Sequence, residues 1–352
     1  MVIDILLKND KVRIRDVSTV EWKLNEMINA GKDKLLVISD FDYTLSRFHD
    51  AEGKSCCTTH GVFDVAAQTV SKELETVLKN LKSKYLPIEF DPHMTIAEKM
   101  PHMENWWRTS HQHIIKAGFT KQSIQNFVRE AKLELKTLNI FGFQGAHTVV
   151  PKYLVFREGA QEYILALHDY NVPLIIFSAG VGNVIDFFMQ EAFGQLPNNV
   201  HIVSNMMKYN ENDVATAFSE PLIHTFSKNT AVISHYGSLL NEISSRTSVL
   251  LLGDTLGDSN MDSGLKCELV ALKIGFLNYN DETLLNQYLH SYDIVLLDDQ
   301  SLQVPSLILN SIFDGFSDEK NLSTCISCRF ESEDNAAIKE GESVSVESNA
   351  RA

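Results

Sequence analysis

The fold class of this chain is decided by residues 35–44, which read LLVISDFDYT. The first four are apolar, and such an unbroken run favours a strand that is buried on both faces of a parallel sheet. The acidic residues Asp40 and Asp42 follow directly, and Thr44 completes a DxDxT motif. Ligands of open parallel sheets bind at the carboxyl ends of the strands, so the two carboxylates are expected at a ligand-binding edge.

Further apolar runs have the same character, and helical periodicity separates them along the chain. The runs lie at residues 174–177, 249–252, 294–297 and, more weakly, 200–203, and the helical patterns at residues 17–30, 159–169 and 184–191. This alternation of strands and helices predicts the α/β class with a doubly wound parallel sheet.

Residues 49–152 interrupt this alternation. They contain amphipathic helical stretches at residues 64–82, 95–116 and 121–138, and no convincing buried strand. We therefore predict that residues 49–152 form a helical cap domain. It is inserted between the two parts of a core domain, which are residues 1–48 and residues 153–316. Residues 317–352 form an acidic tail, which is predicted to be disordered because it cannot bury enough apolar surface.

Composition and charge exclude several classes of protein. Of the 352 residues, 44% are hydrophobic and 22% are charged, so the chain can bury a core and is neither wholly disordered nor fibrous. The formal net charge of −15 argues against binding to a nucleic acid polymer, which needs Lys and Arg to neutralise phosphates. No apolar run approaches the roughly 18 residues of a membrane span, and none near the N-terminus suits a signal peptide. We expect a cytoplasmic monomer with no membrane partner.

The five cysteines are expected to be reduced thiols. Their odd number and irregular spacing do not describe a disulfide framework, and the single CxxC pair is half a zinc site at best. They are Cys56, Cys57, Cys267, Cys325 and Cys328.

Other polar residues follow the predicted strands in the same way as the DxD pair. Ser178 follows one strand, the block GDTLGD with Asp254 and Asp258 follows another, and Lys228 lies between them in the sequence. The carboxyl ends of parallel strands meet at one edge of a sheet, so we expect these side chains to converge with the DxD pair.

Four carboxylates at one site require a cation, because like charges at short range disfavour the ionised forms. A set of oxygen ligands with no nearby His or Cys suits Mg²⁺ bound together with a substrate phosphate. Lys228 would then neutralise phosphate charge, and the Ser178 hydroxyl would donate a hydrogen bond to a phosphate oxygen. A carboxylate aimed at phosphorus can act as a nucleophile, and a second carboxylate can carry the proton of the leaving group.

This set of motifs resembles the haloacid dehalogenase superfamily of phosphatases. The resemblance implies that Asp40 is the nucleophile and Asp42 the general acid/base. It also implies that Mg²⁺ is held by Asp40, Asp254 and the main-chain carbonyl of Asp42, with Asp258 as a supporting residue.

Within that superfamily, the chain is similar to the cytosolic pyrimidine 5′-nucleotidases of type III. Segments such as KYLPIEFDP, EKMPHMENWWRTSH, LIHTFSKN and LKIGFLN occur in the order and spacing of that family. The similarity implies hydrolysis of nucleoside 5′-monophosphates such as CMP and UMP, with the cap recognising the base. By position it implies that the substrate contacts are Glu89, Trp107, Ser110, Ser178, Ala179 and Lys228.

The sequence leaves the base preference and two other functions open. Trp107 stands where pyrimidine-preferring members of the family commonly carry tyrosine, and the larger ring resembles the subgroup that takes 7-methylguanosine monophosphate. Its neighbour Trp106 is expected to face away from the groove, because adjacent helical residues point about 100° apart. Transfer of the phosphate to a second nucleoside is compatible with the same site. The alternatives are a phosphatase for another small phosphoester and a nucleotide-binding protein without catalysis.

Overall fold

A seven-stranded sheet forms the centre of the computed structural model, which describes residues 2–91, 93–138, 153–233, 237–265, 270–278 and 282–315. The strands of this sheet are β1 Val12–Ile14, β2 Leu35–Ser39, β3 Leu174–Val181, β4 Val200–Asn205, β7 Ser248–Gly253, β8 Val270–Leu277 and β9 Ile294–Leu297. A separate antiparallel pair consists of β5 Met207–Tyr209 and β6 Ala215–Phe218.

The helices pack on both faces of the sheet and above one of its edges. They are α1 Val2–Lys8, α2 Val17–Ala30, α3 Gly61–Val70, α4 Lys72–Glu89, α5 Ile96–Lys116, α6 Lys121–Leu138, α7 Ala160–Asp169, α8 Gly182–Phe193, α9 Thr230–Ile233, α10 Gly237–Ile243, α11 Glu282–Ser291 and α12 Gln303–Asp314. None of the described helices combines the length and apolar character that a membrane span requires.

The order of the strands is β1-β9-β8-β7-β2-β3-β4. All neighbours are parallel except β1 and β9, which are antiparallel. The strand that precedes the DxD pair, β2, therefore lies between β7 and β3, whose carboxyl ends carry the other polar motifs. The predicted fold class, an α/β doubly wound parallel sheet with an inserted helical cap, is confirmed.

Each face of the sheet has its own hydrophobic core. All five residues of β2 are buried, and successive side chains of a strand point to opposite faces. Leu35 and Val37 belong to the core on one face, and Leu36 and Ile38 to the core on the other. This explains why the strand is an unbroken apolar run rather than an alternating one.

The cap consists of α3 to α6, which follow one another between β2 and β3. It packs on α8 and on β6, so the small β5–β6 pair supports it from the side of the core. The prediction of one helix at residues 64–82 is wrong, because the chain leaves the helical conformation at Ser71. The Ser71 hydroxyl accepts the N–H of Leu74 at 3.3 Å, and so caps the start of α4.

Two strands of the central sheet were not predicted. In β8 the charged Lys273 interrupts the apolar run, and its ammonium group bonds Ser259 O at 2.6 Å and Asp262 Oδ1 at 2.9 Å. β1 is only three residues long, too short for a periodic signal. The predicted strands at residues 174–177, 200–203, 249–252 and 294–297 are all present.

Some predictions concern residues outside the described part of the chain. The acidic tail at residues 317–352 lies there, as do Cys267, Cys325 and Cys328, so the domain boundaries stay predictions. Cys56 and Cys57 are described, and both are buried free thiols.

Candidate active site

A cavity of about 300 Å³ opens between the cap and the carboxyl ends of β2, β3 and β7. Nine of the ten predicted site residues line it: Asp40, Asp42, Glu89, Trp107, Ser110, Ser178, Ala179, Lys228 and Asp254. The tenth, Asp258, lies beneath the floor and is fully buried. The sheet therefore brings the predicted motifs together, as parallel strand ends should.

Lys228 joins two of the motifs at the floor of the cavity. Its buried ammonium group donates hydrogen bonds to Asp40 and, at 2.7 Å, to Asp258 Oδ1. Although burial opposes its charge, the carboxylates of Asp258 and Asp40 raise the pKa of Lys228. The lysine is therefore a permanent cation beside the predicted nucleophile.

Asp258 organises the loop that follows β7. Its Oδ2 accepts hydrogen bonds from the N–H groups of Asp254 at 3.2 Å and Thr255 at 2.9 Å, and from the Thr255 hydroxyl at 2.8 Å. Its Oδ1 is already bound to Lys228. Both oxygens thus have donors within the protein, which fits the supporting role that the resemblance implies.

The carboxylates of Asp40, Asp254 and Asp258 form a cluster in which one oxygen of each lies within 4.8 Å of the others. Burial, and next the carboxylates of Asp40 and Asp258, raise the pKa of Asp254 well above its usual range. Burial likewise raises the pKa of Asp40 to about 7, against the opposing charge of Lys228. Lys228 and the more distant Arg157 carry two positive charges against three carboxylates, so the donor set fits a hard divalent cation.

The Asp42 side chain lies outside this cluster and is held by one residue. Thr59 donates its N–H to Asp42 Oδ1 at 2.7 Å and its hydroxyl to Asp42 Oδ2 at 2.6 Å. Burial raises the pKa of Asp42 to about 6, although these hydrogen bonds lower it. A carboxyl group with this pKa can both donate and accept a proton near neutral pH.

The last four residues of β3, 178–181, form the predicted phosphate loop, and Ser178 and Ala179 line the cavity. Ser178 Oγ accepts the N–H of Gly180 at 3.0 Å, which fixes the hydroxyl oxygen. The carbonyl of Ala179 accepts hydrogen bonds at 2.8 Å from Asn205 Nδ2 in the core and from Trp107 Nε1 in the cap. The predicted phosphate loop therefore also joins the cap to the core.

The cap supplies polar atoms to the other end of the cavity. Glu89 Oε1 accepts the Thr225 hydroxyl of the core at 2.5 Å, and burial raises the pKa of Glu89. Ser110 is buried and lines the cavity, and its hydroxyl has no hydrogen-bond partner among the described residues. Such an unpaired buried hydroxyl is suited to a ligand atom.

The prediction that Trp106 faces away from the groove is wrong, because both tryptophans line the cavity. Trp106 stacks on Tyr85 with ring centroids 5.9 Å apart, and its ring meets that of Trp107 edge-on at 4.9 Å. Helical geometry separates their Cβ directions, but an indole ring is large enough to reach the same cavity from both positions.

Sequence reasoning missed several residues that hold the site in place. Arg157 is buried and donates to the main-chain carbonyls of Tyr43 and Thr44 beside the DxD pair. The hydroxyls of Tyr288 and Tyr292 donate to the main-chain carbonyls of Asp254 and Thr255. Thr59 was missed as well, since it belongs to none of the strand-end motifs. No local pattern in the sequence marks these residues.

A family model described as pyrimidine 5′-nucleotidase (UMPH-1) matches residues 43–144 and 144–313 of this chain. The match spans the cap and the second part of the core, including Lys228, Asp254 and Asp258. The chain belongs to the pyrimidine 5′-nucleotidase family.

Relatives of this 5′-nucleotidase cover nearly the whole described chain. A Caenorhabditis elegans protein named "Putative cytosolic 5′-nucleotidase 3" is 42% identical over 314 residues, which are 89% of this chain and 78% of that protein. A 7-methylguanosine phosphate-specific 5′-nucleotidase of Gallus gallus is 38% identical over 306 residues, 87% of this chain and 97% of that one.

A solved structure supports the same assignment. The crystal structure of cytosolic 5′-nucleotidase IIIB bound to cytidine matches with a TM-score of 0.73 and 30% sequence identity. The match covers 87% of this chain and 95% of that one. The predicted enzyme class, a 5′-nucleotidase, is therefore confirmed.

Proposed function

We propose that this 5′-nucleotidase hydrolyses nucleoside 5′-monophosphates through a phosphorylated Asp40. The observation that carries the proposal is the cavity itself. Its floor holds a carboxylate, Asp40, beside a buried lysine, and its cap side holds two indole rings and Glu89. A phosphate and a nucleobase need these two environments within one cavity.

The chemistry proceeds in two steps. In the first, an Asp40 carboxylate oxygen attacks phosphorus, the bond from phosphorus to O5′ breaks, and Asp42 donates its proton to O5′ of the departing nucleoside. In the second, Asp42 takes a proton from water as the water attacks the phosphorus, which releases inorganic phosphate and regenerates Asp40. Lys228 and the Ser178 loop bind the phosphate oxygens. A nucleoside hydroxyl in place of that water would give phosphate transfer.

We infer that the cation is Mg²⁺, which Asp40, Asp254 and the main-chain carbonyl of Asp42 would hold. When bound it neutralises phosphate charge. Asp258 would support this set without being a direct ligand, because both of its oxygens are engaged by Lys228 and the residue 254–255 loop.

The base end of the cavity suits both a pyrimidine and a 7-methylated purine. Trp106 and Trp107 offer aromatic faces, and Glu89 and Ser110 offer polar atoms for a base edge. A positively charged 7-methylguanine gains about 0.5–2 kcal/mol from a cation–π contact with an indole. The family model is described as pyrimidine 5′-nucleotidase and the Gallus gallus relative as 7-methylguanosine phosphate-specific, so CMP and 7-methyl-GMP are the two substrates to compare.

The test is phosphate release from CMP, UMP, AMP and 7-methyl-GMP, each with Mg²⁺ and with EDTA. We expect turnover of CMP or 7-methyl-GMP that requires the metal and disappears in Asp40→Asn. The matched control is Asp169→Asn, which changes an exposed aspartate on the surface and should keep the wild-type rate.

Turnover by Asp40→Asn at the wild-type rate would contradict the aspartyl-phosphate step. Turnover of a phosphorylated amino acid or sugar, with none of the four nucleotides hydrolysed, would favour the alternative of a phosphatase for another small phosphoester. Tight nucleotide binding without any phosphate release would favour a non-catalytic binding protein.

The name of the Caenorhabditis elegans relative supports a cytosolic location for this chain. The monomeric state remains a prediction, and size-exclusion chromatography with light scattering measures it directly. A mass of twice 39.7 kDa would contradict it.

A further inference from the structure

Thr59 is the residue that fixes the orientation of the Asp42 carboxylate. It is fully buried, and it lies in the segment that leads from the DxD loop into the first cap helix. Its N–H and its hydroxyl reach one oxygen each of Asp42, at 2.7 and 2.6 Å. Two hydrogen bonds from one residue leave the carboxylate a single orientation.

The direction of the Thr59 hydroxyl is itself determined. Its oxygen lies 3.3 Å from the N–H of Val181, which donates to it at the end of β3. A hydroxyl has one hydrogen to donate, and with its oxygen accepting from Val181 that hydrogen points to Asp42. Thr59 therefore ties the carboxylate to the strand that carries the phosphate loop.

Gly180 shows how closely this arrangement is packed. A Cβ at residue 180 would lie 1.9 Å from the Thr59 hydroxyl oxygen and 2.9 Å from Asp42 Oδ2. Only glycine leaves room for both groups at this position. The phosphate loop, the hydroxyl and the carboxylate thus form one rigid unit.

We propose that Thr59 is a positioning residue for the proton transfer by Asp42, an inference that rests on the proposed function. Thr59 is not among the residues that line the cavity, so it acts on the reaction through the groups that it holds, of which Asp42 is the one that transfers a proton. Without its hydroxyl, one oxygen of Asp42 loses its donor and the carboxyl group can rotate. The proton then no longer lies in line with O5′ of the departing nucleoside.

The consequence depends on whether the leaving group needs a proton. The 5′-hydroxyl of a nucleoside must be protonated as it leaves, whereas a 5′-thiol analogue leaves as a thiolate without help. Misplacing a general acid by a small distance costs about 10- to 100-fold in rate for the oxygen substrate. For the thio analogue the same misplacement costs nothing in the first step.

The experiment measures nucleoside release in a single turnover. The substrates are the better of CMP and 7-methyl-GMP, and its analogue with sulfur in place of the bridging O5′. We expect Thr59→Val to slow release from the oxygen substrate at saturation about 10- to 100-fold, with an unchanged half-saturating concentration, and to leave the sulfur substrate at the wild-type rate. Thr59→Ser retains the hydroxyl and should restore most of the rate.

Three controls make the outcome decisive. Asp42→Asn should show the same pattern as Thr59→Val in a stronger form, and full activity in Asp42→Asn would overturn the proposed function itself. Thr69→Val makes the same substitution on the exposed side of α3, at a hydroxyl that donates to Ala66 O of its own helix, and should change neither rate. Thr59→Ala replaces Thr59→Val if the valine variant does not fold.

Equal slowing of both substrates in Thr59→Val, with Asp42→Asn behaving as expected, would overturn the positioning role and leave a structural one. No slowing of either substrate would overturn it as well. In both cases the proposed function would stand.

Discussion

Arg157 is a buried cation whose hydrogen bonds go to main-chain carbonyls and one amide. It donates to Thr44 O at 2.7 Å and to Asn278 Oδ1 at 2.8 Å, and also to the carbonyls of Tyr43 and Asp299. Burial lowers the pKa of Arg157 to about 10. Its planar guanidinium group therefore holds Tyr43 against the loops that follow β8 and β9. The backbone of Tyr43 has a φ of +62°.

Replacing Arg157 with Lys should destabilise the protein and lower its activity. A lysine ammonium cannot reach acceptors spread over three segments, and each buried acceptor left without a donor costs about 1–3 kcal/mol. We expect the free energy of unfolding in urea to fall by about that amount. Arg47→Lys is the matched control, since the partly exposed Arg47 makes one hydrogen bond at 3.1 Å and should tolerate the change. Equal stability of Arg157→Lys and wild type would contradict the argument.

Trp107, a proposed contact of the base, also holds the cap to the core. Its ring lines the cavity, and its Nε1–H donates to Ala179 O. Trp107→Tyr offers a smaller ring with a weaker attraction for a cation, so the ratio of kcat/KM for 7-methyl-GMP to that for CMP should fall about 2- to 5-fold. Trp22→Tyr, on the exposed surface of α2, should leave the ratio unchanged. An unchanged ratio in Trp107→Tyr would show that this ring does not read the charge of the base.

At the scale of the element, the end of β7 depends on the absence of a side chain at Gly253. A Cβ there would lie 2.4 Å from the Cβ of Asp258 and 2.9 Å from the Tyr292 hydroxyl. β7 can therefore approach the turn at Asp258 this closely only because residue 253 is a glycine. The same tyrosine hydroxyl holds Thr255 O, so strand, turn and α11–β9 connection form one packed unit.

Gly253→Ala should displace Asp258 and with it Lys228. Overpacking of this kind costs about 1–3 kcal/mol of stability, and a shift of about 1 Å in the site costs about 100-fold in kcat. Gly237→Ala is the matched control, because nothing lies within 4 Å of its added Cβ and it stands at the start of α10. Thermal unfolding and phosphate release measure the two effects, and wild-type kcat in Gly253→Ala would contradict the prediction.

At the scale of the whole molecule, His111 joins the cap to the β5–β6 pair of the core. Its buried ring stacks on Phe218 with centroids 3.7 Å apart. Burial, and next the charges of His60 and Arg108, lower the pKa of His111 to about 3. The ring is therefore neutral in the folded protein at every pH at which the enzyme is expected to work.

This buried histidine should make the protein less stable in mild acid. Below the unfolded-state pKa of about 6.5 the unfolded chain binds a proton that the folded protein does not, so the free energy of unfolding falls as the pH falls. Between pH 7.5 and 5.5 the loss should be about 1.4 kcal/mol. His111→Phe keeps an aromatic ring stacked on Phe218. Its free energy of unfolding should lack this fall of about 1.4 kcal/mol between pH 7.5 and 5.5. Parallel pH profiles of the two proteins in urea unfolding would contradict it.

Sequence patterns identified the regular helices and strands, and the reactive side chains that are grouped in short motifs. Helix α2 begins and ends where the pattern at residues 17–30 predicts, because Asp16 caps it by accepting the N–H of Thr19 at 3.0 Å. The apolar run before Asp40 is a strand because both of its faces are covered. The sequence pattern does not show the break at Ser71, because the apolar spacing continues across it.

The sequence by itself determined the α/β sheet, the inserted helical cap, the carboxylates at the strand ends and the lysine predicted to join them, since apolar periodicity and short motifs are local properties of a chain. Only the tertiary structure decided which residues hold those groups in place. Thr59 meets Asp42, and Arg157 meets residues up to 142 positions away, through the packing of separate segments. Both tryptophans reach one cavity because the cap lies over the sheet edge. Contacts between distant segments depend on how the elements pack, and no local pattern of residues records that packing.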